Sequence, residues 1–350
     1  MVRSQTPEIA VIILNYNGRK WLEQFLPSVV QNTPTSLAKI WIADNASTDD
    51  SVAWVKSLFP SVNTLTLAQN FGFAEGYNQA IGHIPCRFVL LLNSDVEVTP
   101  NWLEPLYQLL RKDTAIAACQ PKILSYNEKE KFEYAGAAGG LIDIYGYPFC
   151  RGRILNSIEK DGGQYEGESE IFWASGACML IRKDLFLTAG GFDQDFFAHM
   201  EEIDLCWRLK NLGYQIQYTS SSIVYHVGGG TLQTGNPQKT FLNFRNNRLL
   251  LFKNLRKGTI VRTNIIRNIL DMLAMFNFLL HFQFKDAWAV IRAQIAFRKM
   301  MFQAFNKRQQ FEYIREKNSI REANTKGLYP KSILIQFYLN KKKKFTQLRW

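Results

Sequence analysis

An apolar run from Phe88 to Leu92 stops abruptly at Asn93, Ser94 and Asp95, the first residues whose types and spacing could do chemistry. A short apolar run bounded by polar residues predicts a strand that is buried on both faces, as in a parallel α/β sheet. Ligands of open α/β sheets bind beyond the carboxyl ends of the strands, so Asp95 is placed to hold a divalent cation against the phosphates of a ligand. Taken alone, the same three polar residues also fit a simple turn.

A cluster of acidic residues, Glu201, Glu202 and Asp204, forms the second candidate and lies close to aromatic residues such as Trp207. Mutual repulsion and partial burial raise the pKa of a carboxyl group, which suits a general base. Acidic residues in the first turn of a helix are also favoured by the helix dipole, so a structural role accounts for any one of them taken singly.

Single polar and small residues follow other apolar segments. Asp44 could accept hydrogen bonds from a base or ribose, and the small residues Gly72, Ala74 and Gly76 allow a backbone to approach a ligand closely or simply serve a turn. They do not form a GxGxxG sequence, which counts against a dinucleotide site. His226 follows an apolar strand pattern and is either a metal ligand or a hydrogen-bonding residue of a loop.

The elements that must position these residues alternate between strand and helix patterns, which predicts a parallel sheet with helices on both sides. Residues 171–182 are apolar around Ser175, Gly176 and Ala177, and residues 129–170 predict a loop region that orders around a ligand. The predicted strands are 9–15, 40–43, 64–67, 88–92 and 215–225, and the predicted helices are 20–30, 51–58, a helix opening at 70–78, and 201–212.

Length and charge limit the function classes. A chain of 350 residues can bury a catalytic core of about 250 residues and still carry an appendage. Residues 239–350 contain 24 Lys and Arg against 5 Asp and Glu, a net charge of +19, whereas the remainder has a net charge of −7. An excess of cations in one terminal part predicts an anionic partner surface. The five cysteines form no CxxC pair, which favours a reducing cytosol, and no signal peptide is expected.

Several motifs occur in an order that resembles family 2 glycosyltransferases, most closely their rhamnosyltransferase-like branch. The resemblance covers about residues 9–255 and implies a GT-A fold, in which a Rossmann-like, mostly parallel sheet with flanking helices occupies residues 1–255. Residues 256–350 would then form a basic, amphipathic helical region at the membrane interface. The motifs that carry the resemblance are residues 13–18, 44–49, 70–78, 92–95 and 201–208.

The resemblance also implies a metal site and a base. Asp95 matches the last residue of the family's DxD-type motif and would bind Mn²⁺ or Mg²⁺, while Asn93 stands where the family has its first aspartate. His226 matches a family metal position, and it becomes more important as a metal ligand because Asn93 supplies no charge. Glu202 stands at the aspartate of the family's Glu-Asp motif, the general base, and Glu201 remains an alternative.

Two further residue sets follow from the resemblance. Asp44 would contact the nucleotide base, Asn15 and Asn78 would lie near the nucleotide, and Arg245 with Asn246 would lie near the diphosphate. The acceptor side would be lined by Trp173, Ser175, Gly176 and Ala177. The full set expected to bind the donor is Asn15, Asn17, Asp44, Asn45, Gly72, Phe73, Ala74, Gly76, Asn78, Asn93, Ser94 and Arg245.

The function implied is inverting, metal-dependent transfer of a sugar from a nucleotide-diphosphate sugar to a hydroxyl of a glycan or lipid-linked acceptor, in cell-surface polysaccharide synthesis. Two alternatives stay open at this point. One is a nucleotidyltransferase, which would attack phosphorus, although the paired basic residues expected early in such a chain are not apparent. The other is a non-catalytic, nucleotide-binding protein associated with a membrane.

The basic tail adds a prediction about location. Residues 259–305 interleave apolar and cationic side chains, and their most apolar window, 265–284, contains Arg267, Asp271 and His281. These residues are costly in a spanning helix, so interfacial helices on an anionic, cytoplasmic leaflet of the inner membrane fit better. Packing on the catalytic domain or in a homodimer is the alternative, and no nucleic-acid motif accompanies the charge. Truncation after residue 258 is expected to release the protein from anionic lipid while donor binding survives.

Overall fold

The structure is a computed structural model that describes residues 8–228, 236–318 and 322–350. Its strands are β1 (Ile9–Asn15), β2 (Ala38–Asp44), β3 (Asn63–Thr66), β4 (Phe88–Leu92), β5 (Val96–Val98), β6 (Ile116–Ser125), β7 (Gly140–Asp143), β8 (Pro148–Cys150), β9 (Arg153–Ile154), β10 (Ser157–Ile158), β11 (Glu168–Ile171), β12 (Cys178–Arg182), β13 (Gln215–His226) and β14 (Leu328–Tyr329). Its helices are α1 (Arg19–Asn32), α2 (Ser51–Leu58), α3 (Gly72–His83), α4 (Glu104–Lys112), α5 (Lys183–Thr188), α6 (Glu201–Asn211), α7 (Pro237–Asn254), α8 (Lys257–Leu280) and α9 (Phe284–Asn318).

The central sheet has the strand order β11-β13-β6-β12-β4-β1-β2-β3, and β5 pairs with β13. Strands β3, β2, β1 and β4 are parallel, and β12 reverses direction between β4 and β6. The mixed α/β class is therefore as predicted, although within the central sheet the described parallel pairs are those among these four strands and the pair β6–β13. The register pairs Asn15 with Asp44, so the carboxyl ends of β1 and β2 stand side by side.

Helices cover both faces of this sheet, which is why all five residues of β4 are buried. On one face Leu22 of α1 and Leu106 of α4 pack with the alternate side chains of β1 such as Val11. On the other face Tyr77 of α3 packs with Ile12. This double cover agrees with the continuous apolar run that the sequence places at β4.

The segment predicted as a loop, residues 129–170, instead contains short strands. Strands β10, β9, β8 and β7 form a second sheet that β14 completes. Each of these strands has only two to four residues, too few for a readable alternation of apolar and polar side chains. Gly140 opens β7 at a close contact, since a β-carbon there would overlap the Trp173 ring.

The C-terminal part packs on the catalytic core rather than standing apart from it. Helix α9 lies on α7, where the Phe252 and Phe297 rings meet edge to face at 6.0 Å and the Arg308 guanidinium donates to the Leu255 carbonyl at 2.7 Å. Residues 328–350 return to the second sheet, where Tyr329 packs on Phe149, and contain two short helical turns, Ile335–Leu339 and Phe345–Gln347. In the described part of the chain no helix is both long and apolar enough to cross a membrane.

A buried ion cluster connects these parts. Asp204 of α6 accepts from Arg208 at 2.8 Å and from Lys253 of α7 at 3.0 Å. The Lys253 ammonium also reaches Asp193 at 2.6 Å, and Lys307 of α9 binds the same carboxylate at 2.5 Å. Truncation after residue 258 would remove Lys307 together with all of α9, so it does not separate membrane binding from the integrity of the core.

The carboxylates of this cluster are held ionised. Burial by itself raises the pKa of Asp204, but the charges of Arg208 and Lys253 outweigh it and leave the pKa below its ordinary value of 3.8. The pKa of Asp193 is lowered in the same way by Lys253 and Lys307. Both groups therefore contribute stability that is complete above pH ~4 and is lost as the pH falls through their lowered pKa values.

We predict that Asp204→Ala lowers the free energy of unfolding by about 3–5 kcal/mol, because it leaves the Arg208 and Lys253 charges buried without their shared partner. Urea denaturation at neutral pH measures the loss. Glu23→Ala is the matched control: Glu23 is exposed and lies 3.7 Å from Arg19, so its removal should cost less than about 1 kcal/mol. Equal losses in the two variants would contradict a structural role for the buried cluster.

Candidate active site

The carboxyl ends of β1 and β2 form a hydrogen-bonded polar floor. The Asn15 side-chain amide donates to Asp44 Oδ1 at 3.1 Å, to Ser47 Oγ at 3.0 Å and to Ser51 Oγ at 2.8 Å. Asn15 and Asp44 are buried, yet Asn15 Oδ1 has no hydrogen-bond partner. A β-carbon on Gly18 would overlap that oxygen, so glycine is required where α1 begins. An unpaired buried acceptor beside a carboxylate is a feature of ligand sites.

Two asparagines fix the loops around this floor. Asn17 has a left-handed backbone, with φ 50°, and its side-chain oxygen accepts from the Thr48 amide at 2.7 Å. Asn45 donates to the Gly72 carbonyl at 3.0 Å and accepts from the Phe71 amide at 2.9 Å. The segment that opens α3 is thereby tied to the end of β2.

Close packing explains the small residues of α3. A β-carbon on Gly76 would lie 3.1 Å from the Asn45 amide and from both methyl groups of Leu14, and Ala74 is buried. Gly72 has φ +74° with open space around it, so its backbone conformation favours glycine there.

The pairing of β5 with β13 brings Asp95 and His226 together. Asp95 lies in the turn between β4 and β5, and the register places His226 opposite the next residue, Val96. Asp95 Oδ1 lies 3.2 Å from His226 Nε2, and Glu133 Oε1 lies 3.5 Å from the other ring nitrogen. The Asn93 amide approaches His226 Nε2 at 3.4 Å.

Opposed effects set the charge of this pair. Burial lowers the pKa of His226, but the Glu133 charge and the contact with Asp95 raise it to about 10. Burial raises the pKa of Asp95, but the hydrogen bond and charge of His226 bring it below the ordinary value. The pair is thus an imidazolium between two carboxylates.

The donor set of this pair fits a divalent cation with shared ligands. The described residues contain no group of three His, Cys, Asp or Glu side chains that could enclose a metal. Asp95 Oδ1 and His226 Nε2, 3.2 Å apart, could instead be two adjacent ligands, with the remaining positions left to a ligand's oxygens. Binding would require the His226 imidazolium to release its Nε2 proton, because only a neutral ring nitrogen can bind a metal. Glu133 faces the opposite ring nitrogen and so belongs to the support of the imidazole.

Two neighbouring carboxyl groups begin α6. Glu201 and Glu202 each have one buried oxygen without a hydrogen-bond partner. Burial, followed by the Glu202 charge, raises the pKa of Glu201 well above its ordinary value. Burial also raises the pKa of Glu202, to about 7. Burial thus favours the neutral form of both carboxyl groups, and Glu202 titrates near neutral pH, which is an arrangement suited to proton transfer.

A strained loop delivers these carboxyl groups. Phe197, His199 and Met200 all have positive φ angles, between 63° and 73°, in the turn before Glu201. Non-glycine residues rarely adopt this conformation, and their clustering is typical of functional sites. His199 Nε2 is buried without a partner, and burial followed by the Lys239 charge lowers the His199 pKa to about 4.

Asn246 and Arg245 hold the strained loop from α7. The buried Asn246 amide donates to the carbonyls of Phe196, Ala198 and His199 at 2.8–2.9 Å. The Arg245 guanidinium donates to the Asp195 and Phe196 carbonyls at 2.9–3.0 Å. These contacts give Arg245 a positioning role for the loop, and its binding to a diphosphate stays a prediction.

The loop after Trp173 joins the pieces of the site. The backbone N–H of Asn93 donates to the Ala177 carbonyl at 3.0 Å. A β-carbon on Gly176 would lie 3.5 Å from Phe73 and 3.9 Å from Glu202 Cβ. Residues 175–177 therefore lie between three parts of the site. These are the β4–β5 turn that contains Asn93 and Asp95, the start of α3 at Phe73, and the start of α6 at Glu202.

Three expected ligand contacts are occupied by the protein itself. Asn78 exchanges two hydrogen bonds, both 2.8 Å, with the Phe192 backbone, and buried Trp173 donates to the Leu141 carbonyl at 2.8 Å. The Ser175 hydroxyl donates to the Ala135 carbonyl. These residues support the site walls, and Ser94 lies in the turn beside Asp95.

Glu133 and His199 are not among the site residues that the sequence predicts. Glu133 lies in the segment predicted as a loop, among other acidic residues, so nothing in the local pattern distinguishes it. His199 has a weak signal, its position two residues before the acidic cluster.

We predict that Asn246→Ala lowers the free energy of unfolding by about 1–3 kcal/mol, because three carbonyl groups lose their donor. Hydrogen exchange should show lost amide protection at residues 196–204, ahead of the rest of α6. Asn306→Ala, at an exposed position of α9, is the control and should leave both measurements unchanged. Unaltered hydrogen exchange in Asn246→Ala would contradict the role of Asn246 in holding this loop.

Comparisons with known proteins identify the family and the fold. The N-acetylglucosaminyl-diphospho-decaprenol L-rhamnosyltransferase of Mycobacterium tuberculosis (strain ATCC 25618 / H37Rv) is 26% identical over 239 residues, 63% of this chain and 76% of the relative. Rhamnosyltransferase WbbL of Escherichia coli (strain K12) is 36% identical over 228 residues, 62% of this chain and 83% of the relative. The mannosyltransferase PcManGT from Pyrobaculum calidifontis, solved with GDP-Man and Mn²⁺, has a TM-score of 0.51 at 14% identity and covers 90% of this chain and 88% of its own.

The likeness to PcManGT shows the fold alone and confirms the predicted GT-A class. The family model described as Glycosyl transferase family 2 matches residues 10–188, just over half of the chain. The match includes the floor at β1 and β2, Asp95 and the loop around Gly176. The chain therefore belongs to glycosyl transferase family 2 and is a glycosyltransferase.

Proposed function

We propose that this enzyme transfers a hexosyl group, rhamnose in the first instance, from a nucleotide-diphosphate sugar to a hydroxyl of a lipid-linked glycan, with inversion at the anomeric carbon. One observation carries the proposal: Glu202, with a pKa of about 7, lies against Gly176, and the next residue, Ala177, accepts from the backbone N–H of Asn93, two residues before Asp95. A base and a site for a diphosphate are the two parts that a single displacement needs.

The floor at β1 and β2 would bind the nucleotide. Asp44 and the unpaired Asn15 Oδ1 provide acceptors for the N–H and O–H groups of a base and ribose. Gly72, which has open space where a β-carbon would lie, lets the α3 backbone approach the ligand, and Phe73 forms the wall toward Gly176. The rhamnosyl donor is proposed because the two curated relatives are named rhamnosyltransferases.

Asp95 and His226 would hold a divalent cation, Mn²⁺ or Mg²⁺. The neighbour PcManGT was crystallised with Mn²⁺, which supports divalent metal use in this fold. When bound, such a cation acts as a Lewis acid that stabilises the charge of the departing diphosphate. His226 would bind through Nε2, with Glu133 orienting the ring from the other side. Asn93 contributes no charge, so Asp95 supplies the one carboxylate among these donors.

Glu202 would accept the proton of the acceptor hydroxyl. That oxygen forms its bond to the anomeric carbon while the bond to the diphosphate oxygen breaks, and one displacement of this kind inverts the carbon. Burial and the Glu202 charge raise the pKa of Glu201 well above its ordinary value, which favours its neutral form and leaves Glu202 as the proposed acceptor of this proton. The first turn of α6 stabilises the ionised form of Glu202 through the helix dipole.

The name of one relative supports the proposed acceptor, and the proposed location follows from that acceptor. The mycobacterial relative is named for a diphospho-decaprenol acceptor, which supports a lipid-linked acceptor here. We place the enzyme peripherally on the cytoplasmic face of the inner membrane, where a lipid-linked acceptor and nucleotide sugars meet. Polysaccharide assembly at the cell surface is the corresponding role.

Glu202→Gln should lower kcat by about a hundredfold or more with little change in donor affinity, because the amide keeps the shape but cannot accept a proton. In the unmodified enzyme kcat should rise with pH through about 7, as Glu202 loses its proton, and then level off. Glu201→Gln resembles the protonated Glu201 and should stay within about threefold of the parent. A loss in Glu201→Gln with an active Glu202→Gln would exchange the two roles.

Asp95→Ala should abolish the Mn²⁺-dependent part of nucleoside diphosphate binding, because the cation loses its carboxylate ligand. Calorimetric titration with and without Mn²⁺ measures that part. His226→Ala should weaken it less, since Asp95 and the diphosphate oxygens remain. Metal-dependent affinity that survives in Asp95→Ala would refute this metal site.

A further inference from the structure

Helix α8 is amphipathic, but it buries its polar side and exposes its apolar side. Its buried side chains are polar, namely Thr263, Arg267 and Asp271, spaced four residues apart. A helix on the surface of a water-soluble protein normally buries its apolar stripe and exposes its polar face. The apolar residues of α8 point outward instead and form a stripe of about 120°. The stripe consists of Val261, Ile265, Ile269, Met272, Leu273, Phe276, Leu279 and Leu280, which are 37% to 71% exposed.

The protein holds the polar face of α8 by specific contacts. The Arg267 guanidinium lies 4.0 Å from the Tyr147 ring and 3.0 Å from Asp271. Asp271 also accepts from Gln294 of α9 at 2.6 Å, and Arg248 of α7 donates to Asn268 at 2.5 Å. These partners fix the rotation of α8, so its apolar stripe cannot turn toward the core without breaking them.

Helix α9 continues the exposed apolar surface beyond the turn at residues 281–283. The Phe282 and Phe284 rings lie 6.2 Å apart at this turn, and both are exposed. The buried side of α9 packs on the core, while a second stripe faces outward at intervals of three, four and seven residues. This stripe consists of Phe284, Trp288, Ile291, Ile295 and Phe302. We call the two stripes, with Phe282, the hairpin surface.

The charges around the hairpin surface have one sign. Between residues 256 and 305 the two acidic residues are Asp271, which is buried, and Asp286, which is half-buried and accepts from Thr240 at 2.6 Å. No carboxylate of this segment is exposed, whereas seven cations are. They are Arg256, Lys257, Arg262, Lys285, Arg292, Arg298 and Lys299.

We propose that the hairpin surface inserts into the boundary between the headgroups and acyl chains of an anionic bilayer. Exposed apolar stripes flanked by cations match this boundary, where apolar side chains enter the lipid and cations meet phosphate. A second copy would bring seven cations against seven like charges with no exposed carboxylate to pair them. The inference rests on the proposed function only for its choice of a membrane-linked acceptor.

Insertion makes the apolar stripe, rather than the cations, the main source of binding. The buried Arg267 and Asp271 keep the polar side of α8 on the protein, so the helix would lie along the membrane plane. Binding to anionic vesicles should then decrease with salt but persist at ~0.5 M, because screening affects the cations and leaves the apolar contacts intact.

The test uses the full chain and sedimentation with vesicles of phosphatidylcholine plus phosphatidylglycerol. The triple variant Ile269→Gln, Phe276→Gln, Phe284→Gln should lose at least about tenfold in vesicle affinity. The matched control, Leu58→Gln with Leu187→Gln, changes side chains of the catalytic domain that are 59% and 52% exposed and should bind vesicles like the parent. Binding that falls to nothing at ~0.5 M salt would overturn insertion in favour of surface attraction alone.

Nucleoside diphosphate affinity separates this inference from the proposed function. It should be the same in the parent, the triple variant and the control, since none of the changed residues lies at the site. Unchanged vesicle binding by the triple variant would overturn the inference without touching the proposed function. A parent that sediments as a dimer without lipid, and a triple variant that is monomeric, would assign the hairpin surface to a second copy.

Discussion

The position of the acidic helix α6 depends on the buried ion cluster behind it. Asp204 and Arg208 lie on α6 itself, Lys253 comes from α7 and Lys307 from α9, so three helices share one set of charges. Buried charges are costly unless every one is paired, and the cluster therefore permits few arrangements of these helices. The Arg208 guanidinium also donates to the Gly191 carbonyl at 2.7 Å, which extends the constraint to the loop that leads toward Glu201.

Residues 193–204 contain acidic groups whose pKa values are shifted in opposite directions. Asp193 and Asp204 lie beside cations and have lowered pKa values. Glu201 is buried and Glu202 is half-buried, neither forms an ion pair within the described part of the chain, and both have raised pKa values. The presence or absence of a neighbouring Lys or Arg thus distinguishes the carboxylates that stabilise the fold from those suited to proton transfer. The strained backbone at residues 197, 199 and 200 lies between these two groups of carboxylates, and Asn246 stabilises it by donating to the His199 carbonyl.

The sequence predicts the central elements well where burial is two-sided and fails where local patterns are short. The bounds of β1, α2 and β4 are as predicted, since long apolar runs and a helical repeat leave few alternatives. Residues 129–170 were predicted wrongly as a loop because strands of two to four residues have no periodicity to detect. Asn78 and Arg245 could be recognised as polar residues near the site, but only the structure shows that their hydrogen bonds go to the protein backbone.

Helix α8 illustrates a limit of periodicity itself. A pattern with one apolar and one polar side predicts a helix but does not say which side faces the protein. Arg267 and Asp271 are costly in a bilayer and equally costly in a core without partners, so their location depends on what the rest of the fold offers them. Here the Tyr147 ring contacts the Arg267 guanidinium at 4.0 Å and Gln294 donates to Asp271 at 2.6 Å. These contacts favour burial of the polar side, although Arg267 Nε and Nη1 have no hydrogen-bond partner among the described residues. The apolar side is then left outward as a consequence, and the surface that results is decided by residues more than a hundred positions apart in the chain.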